Sequence, residues 1–138
     1  MFCRSSPLIR NCIFTGNLSP RPTILNAGGL TLRACSIFGN GQPDVQSCVK
    51  TQGNAMTLVR CSIADNEGTI ASVAVECGTA TLDRCVLAFT KTGTAIVGLA
   101  NLSCCDLYGN SGGDWTGSIA DQLGVNGNIS VPPMFCDI

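Results

Sequence analysis

The sequence predicts an all-β fold, a parallel β-helix (solenoid) of about five rungs with an irregular C-terminal tail covering one end. Three observations predict it. A cysteine-centred motif recurs at short, nearly even intervals. Apolar and polar residues alternate just upstream of each copy, and turn-forming residues close each copy.

The motif is plainest in "ACSIFGN" (34–40) and "RCSIADN" (60–66). Five copies align on Cys12, Cys35, Cys61, Cys85 and Cys105, at spacings of 23, 26, 24 and 20 residues. Ile9, Leu32, Leu58, Leu82 and Leu102 stand three residues before the cysteine. Phe14, Ile37, Ile63, Leu87 and Leu107 stand two residues after it. Asn17, Asn40, Asn66, Thr90 and Asn110 stand five after. A unit this small cannot bury its inward face alone, so neighbouring copies must cover one another.

Each unit reads as three short strands. The limb before the cysteine is "GGLTL" (28–32), "NAMTL" (54–58), "GTATL" (78–82) and "GLANL" (98–102), with the period of two that marks one buried face. The limb after it ends in "TGN", "FGN" or "YGN", tight-turn sequences. A third limb lies between copies, at "DVQSCV" (44–49), "ASVAVEC" (71–77) and "TAIVG" (94–98). The predicted rungs run near 8–31, 32–57, 58–81, 82–101 and 102–115, with a tail over 116–138, all in one domain. At about 4.8 Å per rung the column is on the order of 25 Å tall. A helical bundle is excluded, because Gly, Asn and Thr recur inside every candidate segment.

In-register stacking predicts an internal asparagine ladder at Asn17, Asn40, Asn66 and Asn110. It also turns the five motif cysteines inward as free thiols, since parallel Cα–Cβ vectors suit a disulfide poorly. Cys48 and Cys77 lie on the third limb and are expected in the core; Cys3 and Cys136 fall outside the ladder. Cys104 occupies the position where other copies carry Asn11, Ala34, Arg60 and Arg84, which predicts an exposed thiol near Arg84.

Composition narrows the function. Histidine is absent, removing the commonest general base and metal ligand. The net charge is −1 with no basic block, which excludes a nucleic-acid partner of the usual kind. No apolar run of about 18 residues predicts a membrane span. The first residues lack the pattern of a signal peptide. Two carboxylates, Asp65 and Glu67, flank the ladder turn and could hold a divalent metal such as calcium or zinc, or serve as acid and base. Asp114 beside Trp115 suits a sugar by stacking plus a hydrogen bond, or the indole closes the core.

"LIRNCIFTGN" (8–17), "LTLRACSIFGN" (30–40), "MTLVRCSIADN" (56–66) and the ending from Cys104 to Asp137 resemble right-handed parallel β-helix repeat proteins of the pectin-lyase-like superfamily, of the bacterial secreted or surface type. Pro132 stands where those proteins usually carry Asp, and they are usually longer at both ends. The resemblance therefore implies a truncated β-helix whose parent is secreted or at the cell surface. It also implies lyase or hydrolase chemistry from Arg or Lys with Asp-bound calcium, or from paired carboxylates. That directs attention to the outward column Arg10, Arg33, Arg60, Asp83 and Arg84. The expected function is a structural or carbohydrate-binding module. The alternatives are a polysaccharide lyase or glycoside hydrolase, and a metal-dependent hydrolase of small esters or phosphoesters using Asp65, Glu67, Cys104 and Arg84. An uncapped solenoid end predicts a homodimer.

Overall fold

A computed structural model describes residues 1–135. Cys136 lies outside the described residues. The chain winds through five rungs of three strands each. The first holds β1 (Phe2–Cys3), β2 (Leu8–Arg10) and β3 (Ile13–Thr15). The second holds β4 (Ile24–Asn26), β5 (Leu30–Arg33) and β6 (Ser36–Phe38), and the third β7 (Ser47–Thr51), β8 (Met56–Val59) and β9 (Ser62–Ala64). The fourth holds β10 (Ala71–Val75), β11 (Ala80–Asp83) and β12 (Val86–Ala88), and the fifth β13 (Thr94–Val97), β14 (Ala100–Ser103) and β15 (Asp106–Tyr108). Corresponding strands pair in parallel, giving three five-stranded sheets: β1-β4-β7-β10-β13, β2-β5-β8-β11-β14 and β3-β6-β9-β12-β15. The third limb is present in all five rungs, including β1 and β4, where its alternation was not legible in the sequence.

The register is the motif alignment. Leu32, Leu58, Leu82 and Leu102 stack in one column and Ile37, Ile63, Leu87 and Leu107 in another, all buried. Ile24, Val49, Val73 and Ile96 form a third. Each such side chain contributes about 1.5–3 kcal/mol by leaving water. Cys35, Cys61, Cys85 and Cys105 fill the gap between the leucine and isoleucine columns, and every described cysteine is a free thiol. Cys77 departs from expectation. It is exposed, because β10 ends at Val75 and the chain turns outward at Glu76.

The corners explain the motif's end residues. Asn11, Ala34, Arg60, Arg84 and Cys104 turn the chain from the second sheet to the third, each with φ between 51° and 55°. Gly16, Gly39, Asp65, Phe89 and Gly109 turn it out of the third sheet, with φ of 52–67°. A left-handed residue bends the chain sharply and favours glycine. The asparagines follow directly. Asn17 Nδ2 donates to Asn40 Oδ1 at 2.8 Å, and Asn40 Nδ2 to Asn66 Oδ1 at 3.0 Å. Asn66 Nδ2 also reaches the Ile37 carbonyl and Asn110 Nδ2 the Leu87 carbonyl, at 2.8 and 3.0 Å. Thr90 interrupts the ladder between Asn66 and Asn110, its hydroxyl donating to Asn110 Oδ1 at 2.6 Å and pairing with Ser72 of its own rung.

The tail covers the C-terminal end as expected, an irregular segment apart from one 3-10 turn. A 3-10 turn (Gly117–Gln122) lays Ile119 into the core, and Trp115 packs beside it. Gln122 Oε1 accepts from Leu102 N at 2.8 Å, and its Nε2 donates to the Ala100 carbonyl at 2.7 Å. Asn128 takes the next cysteine position, its Oδ1 accepting from Cys105 N at 3.0 Å and its Nδ2 donating to the Leu102 carbonyl at 3.1 Å. Ile129 then pairs with Asp106 as the start of another strand.

Candidate functional site

The outward face of the third sheet carries a groove lined by side chains of the repeat and the tail. Along each strand of that sheet the middle residue points inward, so the positions one and three after the cysteine point out. Those positions are Ser36 and Phe38 on β6, and Ser62 and Ala64 on β9. Phe89, on the left-handed corner, carries its ring outward, edge-on to Tyr108 with centroids 6.0 Å apart. Beyond Ile129 the tail crosses this face. Ser130 Oγ donates to the Leu107 carbonyl at 2.9 Å and Val131 N to Asp106 Oδ1 at 3.0 Å. The tail brings the Phe135 ring to 6.3 Å from Phe89. Ser36, Phe38, Ser62, Ala64, Asp65, Phe89 and Phe135 enclose a mostly apolar groove of about 440 Å³, a volume in the range of small-ligand sites.

The residues singled out from sequence fall around this face. Arg60, Arg84 and Cys104 line one edge on the corner entering the sheet, and Asp65 lies at the opposite edge. Cys104 is exposed, as expected. Its neighbour Arg84 turns to Asp83 instead, with Nε 3.5 Å from Oδ1. The proposed arginine column splits in two. Arg10, Arg33 and Asp83 align with Val59 at the ends of the second-sheet strands, while Arg60 and Arg84 occupy the corner itself.

Asp65 and Glu67 engage different surroundings. Asp65 faces solvent and pairs with Lys91 at 3.5 Å. Glu67 is half-buried against Gly41, and its Oε2 is buried with no hydrogen-bond partner. Among the described residues no group of three His, Cys, Asp or Glu side chains is placed to hold a metal ion. Asp65 and Glu67 are thus not joined by a third such side chain there.

Asp114 and Trp115 close the fold. The Asp114 carboxylate accepts from Gly109 N, Asn110 N and Asn110 Nδ2 at 3.1, 2.9 and 2.7 Å, ending the asparagine ladder. Trp115 lies against the core and not on an outer face. The buried thiols are shifted in opposite directions, hydrogen bonding to the Cys85 thiol lowering Cys61 and Cys105. Burial pushes Cys48 up to about 11, and Cys35 rises for the same reason. Cys85 rises through hydrogen bonds with the Cys105 and Cys61 thiols, with burial adding to it.

Sequence reading missed Phe38, Phe89 and Phe135. Phe38 and Phe89 were accessible from the repeat, three and four residues after a ladder cysteine, where an aromatic must point out. Phe135 was not, because nothing in the repeat says where the tail returns. A second missed feature is a brace on the first sheet, where Lys50 Nζ sits 2.6 Å from Glu76 Oε1 and 3.1 Å from Gln46 Oε1. That contact holds the Glu76 carboxyl below its ordinary value.

No helix among the described residues is long and apolar enough to cross a membrane. No curated protein and no solved structure matches the chain. One family model does, over residues 1–129, and it describes the winding seen here. With five parallel rungs, matched ladders and that coverage, the chain belongs to the right-handed β-helix region family.

Proposed function

We propose that the chain is a structural, carbohydrate-binding β-helix module of a secreted or surface protein, and that the groove on the third sheet is where it binds. The groove carries this reading. Phe38, Phe89 and Phe135 offer ring surface to the C–H faces of a sugar, while Ser36, Ser62 and Asp65 offer hydrogen bonds at its edges. The hydrolytic readings have less support. Asp65 is paired with lysine, Asp114 is committed to backbone and ladder amides, and three-donor metal clusters are lacking among the described residues. The expected homodimer is opposed by charge, since Arg4, Arg10, Arg21 and Arg33 have no acidic neighbour in sequence before Asp44.

Titration of neutral oligosaccharides by heteronuclear NMR tests the reading. Shifts should cluster at residues 36–38, 62–65 and 89, with Kd on the order of 0.1–1 mM. Phe89→Ala should abolish them, chelator should leave them unchanged, and no new reducing or unsaturated ends should appear. Shifts scattered over the surface, or unchanged by Phe89→Ala, would remove the groove from consideration.

A further inference from the structure

Four of the motif cysteines form a continuous column inside the solenoid. Cys35, Cys61, Cys85 and Cys105 are each at most 1% exposed, and all are free thiols. Backbone bonds set them one above another. Ser62 N donates to the Cys35 carbonyl, Val86 N to the Cys61 carbonyl and Asp106 N to the Cys85 carbonyl, at 3.0, 2.9 and 2.9 Å. Cys35, Cys85 and Cys105 also lean toward the rung before, their Sγ atoms 3.7, 3.4 and 3.5 Å from the Ile9, Leu58 and Leu82 carbonyls. The column stands between the buried leucine and isoleucine columns, away from water.

Alanine or valine would serve as an apolar filler; a thiol adds affinity for soft ions. Thiols stacked in this way suit a disulfide poorly, because parallel Cα–Cβ bonds hold the sulfurs near the rung spacing of about 4.8 Å and not at about 2.05 Å. The same spacing suits an ion that takes two ligands in a line. Two metal–sulfur bonds of about 2.3 Å laid end to end nearly span one rung. Among the described residues no three His, Cys, Asp or Glu side chains are placed around one point to hold a metal. An ion that requires four or six ligands is therefore not served by the column, whereas a soft ion satisfied by two thiolates is. Hydrogen bonding to the Cys85 thiol lowers Cys61 and Cys105, which eases release of their protons to such an ion.

We propose that this column is a binding site for soft monovalent metal ions of the copper(I) and silver(I) class, one in each gap between Cys35, Cys61, Cys85 and Cys105. Three ions enter and three thiol protons leave, so the apolar interior gains no net charge, and the fourth thiol keeps its proton. Each of the two middle sulfurs bridges two ions, and no electrons are transferred. The thiols are closed to solvent, so the ions are taken up as the rungs assemble or open locally.

Silver nitrate tests this on the full chain. The half-buried and exposed thiols are first removed by Cys3→Ser, Cys12→Ser, Cys77→Ser and Cys104→Ser, together with Cys136→Ser. This protein is refolded from urea with excess silver, without oxygen or chloride, and then desalted. Native mass spectrometry should find three silver ions with three protons lost, and the melting temperature should rise by several degrees. The gaps predict an unequal series among single substitutions in that background. Cys105→Ala should hold two ions. Cys85→Ala should hold one, because it leaves a single adjacent pair, and Cys61→Ala makes the same prediction should that variant fail to fold. Zinc should not be retained. Absence of silver, silver held without a rise in melting temperature, equal counts in the end and middle variants, or retention of zinc would each overturn the proposal. None of these results bears on the groove, which is read by oligosaccharide titration.

Discussion

Single residues carry the turns of this fold, and their effects can be read individually. Ala34 adopts φ 51° with no side-chain role beyond a methyl group. Ala34→Gly should therefore raise stability by about 1 kcal/mol in urea titration, because the lost strain exceeds the entropy glycine adds to the unfolded chain. Asn66 behaves oppositely. It accepts from the backbone and side chain of Asn40 and donates to the Ile37 carbonyl, all inside the column. Asn66→Ala strands those groups and should cost about 3 kcal/mol, whereas Asn66→Thr should cost less, since the Thr90 hydroxyl shows that a threonine in this column can bond an asparagine of the adjacent rung. These residues were legible in the sequence because identical environments demand identical side chains. Asp65 and Phe89 were legible as positions but not as strained ones, because only the glycines beside them in the column disclose the left-handed backbone.

Among the elements, strands with period-two alternation and a cysteine anchor were placed correctly from sequence. β1 and β4 were not, being two and three residues long and lacking a repeated marker. The particular contacts of the irregular tail were not legible for a related reason. Its caps, Gln122 and Asn128, act through side chains that reach backbone atoms some twenty residues away. Gln122→Ala should leave the first four rungs unchanged and speed hydrogen exchange of Leu102 and its neighbours on β14. Protection lost evenly over all rungs would show that the cap governs the whole column and not its end. The groove was half legible: its floor follows from the repeat, while its Phe135 wall depends on the tail's return across the sheet.

For the molecule as a whole, pH should act at two groups on or against β7, one on the acid side and one on the alkaline side. Glu76 is held below its usual carboxyl range by Lys50, so the brace stabilises the fold above that range and is lost as pH falls through the lowered value. Melting temperature should drop in that acid window, and less steeply in Glu76→Gln. Cys48 is raised from 9.0 to about 11, so the neutral thiol favours the folded state below pH 9, and this contribution is lost as pH climbs from 9.0 to about 11. Cys48→Ala should flatten the alkaline side of the stability profile while lowering it overall through the cavity it leaves.

The ladder side chains have a direction. The side-chain partners of Asn66 all lie in the rung before it, and Asn128 reaches back in the same way to Leu102 and Cys105. A polypeptide leaves the ribosome in that same order. Each newly emerged turn therefore meets a finished surface that already displays the carbonyls and amides it needs. Synthesis can lay the column down course upon course, with the final asparagine and glutamine as its coping.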